Sequence, residues 1–117
     1  MYIDDDTRLR HMHDAAREAL SFLAGRSRPD LDNDRMLYRA VVSCLGEIGE
    51  AASKLTPGAW ASLPSVPWQQ IVGMRNRLVH GYYEIDRDIV WDTVSVHLPP
   101  LIAAIEELLA GQTDGEC

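Results

Sequence analysis

Residues 37–55 read LYRAVVSCLGEIGEAASKL. Leu37, Ala40, Val41, Cys44, Leu45, Ile48, Ala51, Ala52 and Leu55 fall at the spacing that lines one face of an α-helix with apolar side chains. The alternation that a half-buried strand requires is absent. Gly46 and Gly49 interrupt this helix, where each costs about 1 kcal/mol relative to Ala. Such a cost is tolerated where another backbone must come close. The two glycines therefore predict a tight helix crossing or a subunit contact.

The helical period continues on both sides. Leu9, Met12, Ala16, Leu20 and Leu23 define an amphipathic helix over residues 5–24, which Gly25 ends. GRSRPDLDND, residues 25–34, reads as a polar turn, with Asp32, Asn33 or Asp34 placed to cap the central helix. TPGAWASLPSVP, residues 56–67, carries three prolines and reads as a loop. Ser65 and Pro67 lead into a third helix with Trp68, Ile71, Val72, Arg75, Leu78 and Val79, stopping at Gly81. Asp86 or Asp88 opens a fourth, with Ile89, Val90, Trp91 and Val94. Pro99 and Pro100 begin the segment LIAAIEELLA, closed by Gly111. A proline pair suits a first turn and breaks a helix interior, so this is a fifth short helix or a kinked continuation of the fourth. The tail QTDGEC reads as frayed. The expected fold is all-α, a bundle of four to five helices forming a single domain over residues 1–117.

Bulk properties narrow the function. Hydrophobic residues make up 46% and charged residues 25%, as in an ordinary globular chain. The start, MYIDDDTRLR, lacks the positive region and apolar run of a signal peptide. No stretch approaches the apolar length needed to cross a bilayer, so no membrane role is expected and the chain reads as cytoplasmic. Cys44 falls on the apolar stripe and reads as a small core residue, and with Cys117 it makes no disulfide framework. The net charge of −7 argues against coating nucleic acid through a broad basic face, though not against a small basic cleft. His11, His13 and His97 have no metal-ligand framework around them, and no phosphate-binding glycine loop or nucleophile elbow is present, so neither a metal nor a cofactor is expected.

Chemistry-bearing side chains gather in GMRNRLVHGYYEID, residues 73–86. On a helix, Asn76 and His80 lie one turn apart on one face, and Arg75 on the adjoining flank can swing toward them. Cleavage of RNA by its own 2′-hydroxyl needs no metal. It needs a group that moves a proton near neutral pH, which His80 supplies, and a cation for the charge developing on the phosphoryl oxygens, which Arg75 supplies. Asn76 can orient either the imidazole or a phosphate oxygen. On the residues alone, a solvated helix terminus with a surface Arg–His pair fits equally, and is the commoner arrangement.

RNRLVHGYY resembles the R-x-x-x-x-H-x-Y signature of HepT-like proteins, a branch of the HEPN superfamily of α-helical ribonucleases. The resemblance runs through the ordered series RLRHMHDAAREALSFL, EIGEAASKL, PSVPWQQIVGMRN and YYEIDRDIVWDTVSVHLPPL, nearly the whole chain. It implies a HEPN-type bundle that forms a homodimer and joins two Arg–His signatures in one cleft. Arg75 and His80 match the catalytic positions, Asn76 the polar residue after the arginine, and Tyr82 the signature tyrosine. It also implies a toxin paired with an MntA-like nucleotidyltransferase antitoxin that adenylylates Tyr82. Glu47 and Glu50, in the Ile-Gly-Glu-Ala segment, are placed to orient arginine side chains, with a plain solvated charge the simpler account of Glu47.

Two functions of different class follow. One is a metal-independent endoribonuclease toxin acting on RNA as a homodimer. The other is a non-catalytic HEPN module that presents Tyr82 to a nucleotidyltransferase. The acidic charge leans toward the second. The intact set of Arg75, Asn76 and His80 leans toward the first, since a docking module has no need of all three. A nucleotide-binding site without cleavage is a third possibility.

Overall fold

Asp4 starts the first helix by accepting a hydrogen bond from the Thr7 amide at 2.8 Å, so one of the unpaired donors of the first turn is satisfied. In a computed structural model, which describes the backbone of residues 4–81 and 86–115, this helix is α1 (Asp5–Leu23). Gly25, with φ of +75°, takes the left-handed conformation that reverses the chain after it. A single turn, α2 (Asp30–Asn33), follows within the stretch expected to be only a turn. It pushes Leu31 completely into the core. Asp34 caps α3 (Arg35–Ser53) through the Leu37 amide.

The segment 56–67 is not only loop. It holds α4 (Pro57–Ser62), with Thr56 capping the Ala59 amide and Pro57 in the first turn. Three prolines suggested a loop, yet Thr-Pro is itself a helix-start signal. Next comes α5 (Trp68–Gly81), described as far as Gly81. Asp86 caps α6 (Arg87–Asp92) by accepting from the Asp88 amide at 2.7 Å.

Of the two alternatives at the C-terminal end, a continuation of the preceding helix is what forms. A π-helical turn (Thr93–His97) joins α6 directly to α7 (Leu98–Gly115), and the Leu98 amide reaches back five residues to the Thr93 carbonyl. Pro99 and Pro100 have no N–H to offer, and a widened turn is how a helix carries such a defect. Hydroxyls take up slack in it: Ser95 donates to the Trp91 carbonyl and Thr93 to the Ile89 carbonyl, each at 2.7 Å. Within the resulting helix, the stretch Arg87–Gly111 is 25 residues long with a mean hydropathy of 1.3 in its most apolar part. That corrects the expectation that nothing here reaches membrane-spanning length. Its apolar side has another use, since Val90, Val94, Leu98, Leu101, Ile102 and Ile105 are buried in the core.

The packing is helix on helix, and no strand occurs among the described residues. The α1–α3 pair is the principal one, α7 lies against α1, and α5 packs chiefly against α3. The stripe on α1 and α3 becomes the core: Leu9, Met12, Ala16, Val41, Cys44, Ile48 and Ala52 are all buried. Trp68 seals the start of α5, stacked on Trp60 with ring centroids 5.7 Å apart. Its indole N–H is shared between the Trp60 and Leu63 carbonyls. Charged contacts fix the start of α6 against the turn before α2 and against α3: Arg28 binds Asp88 at 2.6 Å, and Arg87 lies 4.2 Å over the Tyr38 ring. Between α5 and the π turn an apolar cavity of about 420 Å³ remains, lined by Ile48, Ile71, Met74, Leu98 and Leu101 among others.

Candidate active site

Gly49 decides where α5 sits. A β-carbon added to it would collide with Cβ of Arg75 and stand 2.9 Å from its Cγ. The predicted close crossing is therefore the one between α3 and α5, and its contact residue is Arg75. A β-carbon on Gly46 would meet nothing within 4 Å. That glycine instead helps form the floor of a groove.

From this crossing the Arg75 side chain reaches two partners. Its Nη2 lies 2.7 Å from Glu50 Oε2, and its Nη1 donates to Asn76 Oδ1 at 3.0 Å. The other oxygen of Glu50 is 2.9 Å from Nζ of Lys54, one turn further along α3. The Lys54 ammonium, with the Arg75 guanidinium, holds the Glu50 carboxyl below its usual range. Arg75 keeps 30% of its side-chain surface exposed, so the guanidinium is anchored and still open to an incoming anion.

The opening is a groove of about 680 Å³ between α1 and α3. Arg8, His11, Asp14 and Glu18 line it from α1, Ser43, Glu47 and Glu50 from α3, and Arg75 closes one side from α5. Sequence reading did not foresee the α1 contribution. Its signal was present, since Arg8, His11, Ala15 and Glu18 follow the three- and four-residue spacing of one helical face. Among the described residues no three His, Cys, Asp or Glu side chains converge as a metal site.

Of the site residues expected from sequence, Arg75 and Asn76 are brought together. His80 lies on α5 one turn after Asn76, but its side chain falls outside the described residues, and so does Tyr82. Glu50 touches an arginine, as its position suggested, whereas Glu47 is solvent-exposed. Cys44 is a core residue: burial, with a contact to Glu18, pushes its thiol up to about 12.

Residues 12–108 match the family described as Ribonuclease HepT-like. The chain belongs to the HepT-like family. Among its relatives, a protein of Caldanaerobacter subterraneus subsp. tengcongensis named as a putative RNase is 33% identical over 101 residues, 86% of this chain and 90% of that one. A second protein so named, from Methanocaldococcus jannaschii, is 30% identical over 93 residues, 80% of this chain and 85% of its own length. A protein of Thermococcus cleftensis named as a probable ribonuclease HepT is 37% identical over 76 residues, 64% of this chain and 68% of that one. No solved structure gives a significant match. The HepT-like family model runs from the middle of α1 into α7, and so takes in Arg75 and the groove residues other than Arg8 and His11.

Proposed function

We propose that this HepT-like chain is a cytoplasmic, metal-independent endoribonuclease, the toxin of a toxin–antitoxin pair, working as a homodimer. The observation that carries the reading is Arg75, a guanidinium tethered at one end to Glu50 and at the other to Asn76, exposed on a polar groove and five residues before His80 on α5. In the reaction the 2′-oxygen of the RNA attacks phosphorus and the bond from phosphorus to the 5′-oxygen breaks. His80 takes the proton from the 2′-hydroxyl or delivers one to the leaving 5′-oxygen. Arg75 stabilises the charge on the phosphoryl oxygens, and the Asn76 amide helps to hold it. The products are a 2′,3′-cyclic phosphate and a 5′-hydroxyl. A second protomer supplies the second Arg–His pair of the cleft.

Tyr82 follows His80 by two positions and serves as the handle for silencing. An adenylate on its phenol would place bulk and negative charge where the RNA phosphate must sit. The donor is a nucleotidyltransferase antitoxin of the MntA kind.

The test is cleavage of RNA by the purified chain. Arg75→Ala and His80→Ala should each abolish it without unfolding the protein, EDTA should leave it unchanged, and the products should end in cyclic phosphate. Activity retained in His80→Ala, or lost to chelation, overturns the mechanism. Co-expression with a nucleotidyltransferase, followed by mass spectrometry, should find adenylate on Tyr82 and nowhere else.

One observation favours a second reading. Asp14, Glu18, Glu47 and Glu50 bring four carboxylates to the groove against two arginines, a poor lining for a polyanion. On that reading the chain is a non-catalytic partner that presents Tyr82 to its transferase, and it shows no cleavage even as an unmodified dimer.

A further inference from the structure

The four side chains Lys54, Glu50, Arg75 and Asn76 form one unbroken line across the α3–α5 crossing, with contacts of 2.9, 2.7 and 3.0 Å in that order. Each end of the Glu50 carboxylate takes one cation, and each terminal nitrogen of the Arg75 guanidinium takes one oxygen. We infer that Glu50 is a positioning residue, which fixes the plane of the Arg75 guanidinium so that its remaining N–H groups face the groove.

Arginine is long and rotamer-rich, and an unrestrained guanidinium samples many directions. Three features restrain this one. Gly49 lets the Arg75 stem lie directly on the α3 backbone, which sets where the side chain begins. Glu50, the next residue on α3, meets the far end of that side chain. Asn76 grips the second nitrogen from the same helix as Arg75. Two oxygens on opposite ends of a planar group define its plane, whereas one leaves it free to swivel. Lys54 orients the carboxylate in turn from one turn further along α3.

The alternative role for Glu50 is an ordinary surface ion pair, worth little and orienting nothing. The two roles separate in the motion of one group. The Nε–H of Arg75, observed by nitrogen-15 relaxation in the full-length protein, should be as rigid as the backbone of α5. In Glu50→Ala it should become mobile, while Glu50→Gln, which keeps an acceptor without the charge, should fall between. If Arg75 stays rigid in Glu50→Ala, the inference is overturned, whether or not the chain cleaves RNA.

The kinetic arm rests on the ribonuclease reading. Misplacing a catalytic group by about 1 Å can cost on the order of a hundredfold. Glu50→Ala should therefore lower kcat by roughly ten- to a hundredfold with KM changed far less, and Glu50→Gln should recover part of it. Unchanged kcat in Glu50→Ala, where Arg75→Ala is inactive, overturns the positioning role in catalysis. A wild-type chain that cleaves nothing defeats the ribonuclease reading instead, and the relaxation measurement then decides the position of Arg75 alone.

Discussion

Gly49 and Arg75 meet across the α3–α5 crossing so closely that no β-carbon fits between them. Gly46, one turn earlier on the same helix, faces open space. The two glycines therefore respond to alanine in opposite directions. Gly49→Ala gains about 1 kcal/mol of helix propensity, but forcing the helices apart typically costs about 1–3 kcal/mol. Urea denaturation should show it to be destabilised, by up to about 2 kcal/mol. Gly46→Ala should be neutral or stabilised by up to about 1 kcal/mol. Equal effects at the two positions would mean that the crossing is not what fixes α5.

Trp68 sends its indole N–H to two carbonyls and stacks on Trp60. Trp68→Ala should cost about 3–5 kcal/mol, the range for removing a buried aromatic. Trp68→Phe should retain much of the packing and lose about 1–3 kcal/mol through the abandoned hydrogen bonds. Thermal melting of both variants distinguishes the two contributions.

The Cys44 thiol, raised to about 12 by burial, stays protonated in the folded chain well above the pH at which an exposed cysteine ionises, near 8.5. In a Cys117→Ser background, a thiol reagent at pH 8 should react only as fast as the protein unfolds. Above about pH 9 the unfolded chain loses this proton while the folded chain keeps it, so stability should fall as pH rises toward 12. Rapid labelling of the native protein would show the site to be open.

Glu50 titrates in the opposite sense. Its carboxyl is held below the ordinary range, so its ion pairs stabilise the fold above the unfolded value of about 4.3 and are lost as pH falls through the lower folded value. Both partners are partly solvated, and the contribution should be below about 1 kcal/mol. The stability difference between wild type and Glu50→Gln should be present at pH 7 and shrink as the pH falls below the ordinary carboxylate range.

The main helices and the family were legible because each rests on a signal that repeats along the chain. The stripes on α1 and α3 became the core, Asp34 and Asp86 proved to be caps, and Gly25 took the left-handed turn. Short elements were harder to read. At four and six residues, α2 and α4 span barely a helical period, and the three prolines of residues 56–67 outweighed the Thr-Pro start. The proline pair left two outcomes open, and the π turn that resolves them comes from hydrogen bonding rather than from any residue pattern. At the candidate site, the contact of Glu50 with an arginine was legible from its segment, whereas the Arg75–Asn76 hydrogen bond was not, since Asn76 was read as orienting an imidazole or a phosphate oxygen. The contribution of Arg8 and His11 was not legible either, because it depends on how α1 is rotated against α3.

α5 bears the signature and leans mainly on one neighbour, with a cavity where it would otherwise touch the last helix. Such a helix can detach while α1, α3 and α7 keep their own core, and segments with few supports are the first to open. In hydrogen exchange, the amides of α5 should therefore lose protection well before those of α1 and α3. The segment proposed to carry the chemistry would then be a module hung on the bundle, open to being refitted or unhooked with the framework left standing.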